Sequence, residues 1–215
     1  MSSDRETVDL GDTLPPLPIF PLPSVQLFPH ALLPLHVFEP RYRSLVKDAM
    51  AGNQLVAMPM LESSGDKGPR PKVRAICGVG KIISYDPMPD GRSNILLEGV
   101  CRARIVEELS VASPYRVVRV DELPDLGDGL QGGSTMMLLA NELAARIPDG
   151  GDTLRELLRG VVQPGPLSDV LASALLADSA ERQRLLEMRD VAERVEVMTH
   201  HLGQLLSRFA SSSSN

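Results

Sequence analysis

Hydrophobic positions change their period part-way along the chain. From Pro18 to about Leu123 they recur mostly at every second residue, punctuated by prolines and glycines. This predicts short strands at Pro18 to Phe20, Leu33 to Val37, Gln54 to Leu61, Val73 to Ser84, Ser93 to Val106 and Tyr115 to Leu123. The clearest alternation is Asn94 to Val106, where Ile95, Leu97, Cys101, Ala103 and Ile105 share one face and Glu98, Arg102 and Arg104 the other. Asp90-Gly91 in front of it supplies turn chemistry, so Val73 to Val106 reads as a hairpin. One helix interrupts the strands: Pro40 suits a first helical position, Tyr42, Leu45, Val46 and Ala49 fall on one face, and Gly52 stops it.

Beyond Pro124 the period becomes helical, with helices expected at about 134–147, 153–162, 167–177 and 180–209. Asp178 followed by Glu181 resembles a capping box and sets the start of the last helix. In that helix Met188, Val191, Val195, Met198, Leu202, Leu205 and Phe209 recur at steps of three and four. Such a seam fits the core of a helical bundle and leaves room for a homodimer through the last helix. The expected organisation is a disordered N-terminus at 1–13, a β subdomain at 14–124, a Gly- and Asp-rich linker at 125–133, a helical bundle at 134–209 and a disordered Ser-rich tail at 210–215. The charged stretch Glu62 to Pro71 reads as a surface loop.

Composition narrows the partners. Of 215 residues, 43% are hydrophobic, enough for a real core, while 22 Lys and Arg against 28 Asp and Glu leave a net charge of −6. That sign opposes a phosphate-neutralising surface, so nucleic acid is not the expected partner. Arg102, Arg104, Arg116 and Arg119 form a short basic stripe, but acidic neighbours make a solvated, charge-balanced face the expected meaning. Leu14 to Phe38 is as long as a membrane span, yet Pro15, Pro16, Pro18, Pro21, Pro23, Pro29 and Pro34 forbid a spanning helix, so the segment should be extended and packed on protein. Two cysteines and a polar N-terminus point to the cytoplasm.

Catalytic patterns are sparse. Cys77 and Cys101 should lie on adjacent strands as inert buried thiols, although either could formally pair with His36 as a nucleophile. His30, His36, His200 and His201 show no metal-binding spacing, and no GxSxG elbow surrounds a serine. Gly78-Val79-Gly80-Lys81 lacks the first glycine and the Ser or Thr of a phosphate loop, so neither ATP nor another cofactor is expected. Glu39, Pro40, Arg41 and Tyr42 are assigned a structural role, with the Glu39 carboxylate accepting orphan helix amides and pairing with an arginine in a partly buried corner.

Three words carry a family resemblance: LPIFPLPSVQLFPHALLPLHVFEPRYRSLV at 17–46, DGRSNILLEGVCRARIVE at 90–107 and GPLSDVLASALLADSAERQRLLEMRDVAERVE at 165–196. They resemble the N-terminal, substrate-binding domain family of Lon proteases, with the match running over roughly 14–207. The family often has glycine where this chain has His30. The resemblance implies an α+β fold, a PUA-like β pseudo-barrel with one inserted helix followed by a C-terminal α-helical bundle, without the ATPase and peptidase domains of the protease. It implies a stand-alone, non-catalytic module that binds unfolded or tagged polypeptides or acts as an adaptor to a separate protease or ATPase. Pro29, His30, Leu32 and the loop Glu62 to Pro71 are the expected rim of an apolar groove, and Val195 and Leu202 the expected docking positions on the last helix. A small-molecule hydrolase and an RNA-binding module on the same barrel are the alternatives.

Overall fold

The computed structural model describes residues 14–62, 68 and 70–212. The expected disordered N-terminus at 1–13, residues 213–215 of the tail, and residues 63–67 and 69 of the charged loop lie outside the described residues.

The N-terminal part is a six-stranded antiparallel sheet with the path β1-β6-β5-β4-β3, and β2 paired separately to β5. The strands are β1 (Leu17–Pro18), β2 (Leu32–Val37), β3 (Leu55–Met58), β4 (Ile76–Pro87), β5 (Ser93–Leu109) and β6 (Val117–Glu122). A parallel bridge from Ile19 to Ala57 joins the two ends of the path and curls the sheet into a barrel. The long strand β5 makes this possible. Its first half pairs with both β2 and β4 and its end, from Ala103 on, with β6, where a bulge between Ile105 and Glu107 bends the pairing. The Asp90-Gly91 turn forms as expected, with the Arg92 amide donating to Asp90 Oδ1 at 3.0 Å and Gly91 at φ +82°.

Helix α1 (Pro40–Ala51) begins on Pro40 and buries Tyr42, Leu45, Val46 and Ala49 against the barrel. The segment Leu27 to Ala31 then crosses β4 and β5 at backbone contact. A Cβ added at Gly78 would lie 1.8 Å from the Leu27 carbonyl oxygen, and one at Gly99 would lie 1.9 Å from that of Phe28. These glycines therefore exist for close approach, not to hold phosphate.

The remaining helices are α2 (Leu130–Arg146), α3 (Gly151–Leu158), α4 (Pro164–Leu175), α5 (Ser179–Glu187) and α6 (Val191–Ser212). The helix expected over 180–209 is two helices. Asp178 caps α5 through the Glu181 amide at 2.8 Å, and the chain then breaks at Met188 to Asp190. Asp190 accepts the Glu193 amide at 3.1 Å and so caps α6, while the Arg189 carbonyl accepts the Leu126 amide at 2.9 Å. Long-range pairing with the linker overrode the continuous helical period. The tail expected from residue 210 is helical as far as Ser212. Val191, Val195, Met198 and Leu202 face α2 and α4 in one apolar core, to which the barrel segment contributes Phe28 and Ala31.

Candidate functional site

The crossing segment shapes the site. Phe28 is driven into the bundle core, and His30 then takes φ +64°, a left-handed conformation that a side chain resists and glycine does not. This explains why a glycine suits that position in the related pattern. The reversal is held by the His30 amide donating to the Gly99 carbonyl at 2.8 Å, and by the Gly99 amide donating to that of Ala31 at 2.9 Å. Leu32 thereby starts β2 on the outside of the barrel, 48% exposed.

Opposite it stand α3 and α4. Together they enclose a groove of about 450 Å³ lined by His30, Ala31, Leu32, Thr153, Glu156, Leu157, Val170, Ser173 and Ala174. Ala31 and Val170 are buried and form its floor, whereas Leu32 and Leu157 stand exposed on its walls. The amphipathic α3 turns Leu154 and Leu158 inward and leaves Leu157 37% exposed at the groove. Glu156 is the only carboxylate in the lining, and it pairs with Arg159 at 2.7 Å across the exposed face of the helix.

Of the residues anticipated from sequence, His30 and Leu32 lie in this groove. Pro29 does not form its rim, because the crossing segment buries it. The described ends of the Glu62 to Pro71 loop are tied elsewhere, Pro71 by Arg116 at 2.7 Å and Arg70 by Glu108 at 3.5 Å. Val195 and Leu202 are 3% and 0% exposed in the bundle core, so neither projects from α6 as a docking position, although Val195 lines an open cleft with Gln131, Ala192 and His200. Sequence reasoning missed the α3 and α4 lining. The apolar face of α3 was visible, but which helix faces β2 depends on the packing of the bundle.

Behind the groove a charged cluster ties barrel to bundle. Arg102 on β5, expected on a solvated face, is buried and grips both carboxylate oxygens of Asp169 on α4, with Nη1 to Oδ2 at 2.9 Å. Arg194 on α6, 0% exposed, holds Asp125 at 2.9 and 2.6 Å and donates to Ser168 Oγ at 3.2 Å. Burial pushes the Asp169 carboxyl up from its ordinary value, and Arg102 and Arg194 pull it back. The two buried arginines are balanced by the buried Asp169 and the partly exposed Asp125. Of the rest of the basic stripe, Arg116 pairs with Glu108 and Arg119 with Glu107.

Other candidates are dispersed. Cys77 and Cys101 are buried on neighbouring strands, and burial pushes both thiols up to about 12. His36 is exposed on β2 and bonded to Asn94 at 2.8 Å, so no thiol–imidazole pair forms. Glu39 makes no side-chain cap; its carboxylate pairs with Arg41 at 3.0 Å in the open, not in a partly buried corner. The structural weight of that motif falls on Tyr42, which stacks on Phe20 at 4.0 Å. Among the described residues no helix is long and apolar enough to cross a membrane.

With this geometry established, comparison with known proteins places the chain. The family model described as the ATP-dependent protease La (LON) substrate-binding domain matches residues 16–204. A Lon protease of Trichlorobacter lovleyi is 30% identical over 83% of this chain, and one of Dictyoglomus thermophilum 29% identical over 93%. The chain spans only 22% and 26% of the length of those relatives. Among solved structures, the N-terminal domain of Mycobacterium avium complex Lon protease superposes with a TM-score of 0.68 at 18% identity, covering 88% of this chain and 98% of that one. A Lon N-terminal domain protein from Xanthomonas campestris gives 0.64 at 23% identity, covering 86% and 97%. The expected α+β fold is thus shared with solved Lon N-terminal domains, and the chain belongs to the Lon substrate-binding domain family.

Proposed function

We propose that this chain is a recognition module that takes extended, partly apolar polypeptide segments into the groove between β2 and the α3–α4 pair. The observation that carries the reading is the exposure of Leu32 and Leu157 on facing walls above an apolar floor of Ala31 and Val170. Membership of a substrate-binding family supports it.

Strand addition contributes little to this mechanism. The outer edge of β2 carries Pro34, which has no amide to donate and so interrupts a ladder. Apolar contact must therefore supply most of the affinity. Burying about 400 Å² of apolar surface contributes roughly 10 kcal/mol gross, which the cost of association and of ordering a flexible client reduces to affinity on the order of micromolar. A client released from another chain would suit such weak, side-chain-tolerant capture, as would an adaptor role beside a separate protease.

The test is fluorescence anisotropy with a labelled, reduced and carboxymethylated protein as permanently unfolded client. Leu32→Asp and Leu157→Asp each weaken binding by about tenfold or more, because a charge is forced into an apolar contact. Their melting temperatures stay near wild type, and Leu130→Asp, exposed outside the groove, binds normally. Wild-type-like binding by both groove variants would rule the site out.

A further inference from the structure

Resting on that reading of the groove, we infer that it selects segments in which a lysine or arginine accompanies the apolar residues. Among the nine lining residues Glu156 is the only one with a full formal charge at neutral pH when His30 is neutral. It lines the same groove as Leu157, so a cation carried beside an apolar side chain bound there can meet its carboxylate.

The charges around it leave this sign in place. Arg155 is turned away toward α2, where it donates to the Ala144 carbonyl at 3.2 Å and pairs with Asp152. Arg159 is the present partner of Glu156, yet the two side chains are 76% and 62% exposed. A pair so open to water holds weakly, and an incoming cation exchanges with it at little cost. On the barrel side, Glu98 of β5 stands across from Leu32 in the ladder and Lys81 of β4 across from Glu98, so these opposite charges offset each other outside the lining. An acidic segment would meet Glu156 with its own charge, and the net charge of −6 disfavours it at longer range as well.

The experiment uses three fluorescein-labelled peptides of alternating Leu and Ser that differ only in a central Lys, Gln or Glu, titrated at low and high salt. The Lys peptide is expected to bind roughly threefold to tenfold more tightly than the Gln peptide, with the Glu peptide weakest, and salt should shrink the difference. Glu156→Gln should level the series and Glu156→Lys should invert it, both with unchanged melting temperatures because the side chain is exposed. Equal binding of the three peptides to wild type, abolished by Leu32→Asp, would overturn charge selection and leave the groove standing. Failure of all three to bind at high micromolar concentration would overturn both.

Discussion

Tyr42 and Glu39 are three residues apart and do different work. Tyr42 is buried, stacked on Phe20 and carries Arg41 over its ring at 4.5 Å, so Tyr42→Ala removes a packed aromatic. Its expected cost is about 3–5 kcal/mol in urea unfolding. Glu39→Ala removes only an exposed ion pair and should cost less than about 1 kcal/mol. The thiols make a pH prediction. Burial raises Cys77 and Cys101 to about 12, above the ordinary thiol value of 9.0, so the folded protein keeps two protons that the unfolded chain releases. Their contribution is complete below pH 9 and is lost as the pH rises toward 12, at up to about 1.4 kcal/mol per pH unit for each thiol. A Cys77→Ala/Cys101→Ala variant should show a flatter alkaline limb in unfolding titrations, and native wild type should resist alkylation at neutral pH. Cys101 and its apolar face could be read directly from alternation. Glu39 could not, because the pattern marks a helix start without showing whether a side chain turns back to cap it.

The break between α5 and α6 shows how local signals compete with distant ones. Asp178 announced a helix start and the seam ran on beyond it, so one long helix was the natural reading. A second cap, Asp190, divides it where Leu126 of the linker pairs with Arg189 and Val191. Asp190→Ala should therefore cost about 1 kcal/mol, with hydrogen exchange rising first in the opening turn of α6. The hairpin β4–β5 was legible down to its Asp90-Gly91 turn, since both its period and its turn chemistry are local. The groove was legible only along its barrel wall. His30 and Leu32 follow a recognisable proline turn, whereas Glu156 and Leu157 enter the site because α3 happens to pack opposite β2.

Barrel and bundle behave as one body because they share more than a border. Phe28 and Ala31 belong by chain position to the barrel and by contact to the bundle core, and Arg102 reaches from β5 to Asp169 on α4. Arg102→Met leaves the buried Asp169 carboxylate only Arg194 at 3.5 Å and should destabilise by about 3–5 kcal/mol, while adding Asp169→Leu should recover most of that loss in a double-mutant cycle. A double-variant loss equal to the sum of the losses in Arg102→Met alone and Asp169→Leu alone would show that the pair is not coupled. Sequence alone determined the elements apart from the division of α5 from α6, because strand and helix periods, turn residues and caps act over a few positions. It also determined the apolar face of β5, since alternation along a strand is a local property. Which polar face would meet solvent was decided by tertiary structure alone. The helical bundle folds back over Arg102, and a charge that alternation assigns to water is instead neutralised by Asp125 and Asp169, 23 and 67 residues away along the chain.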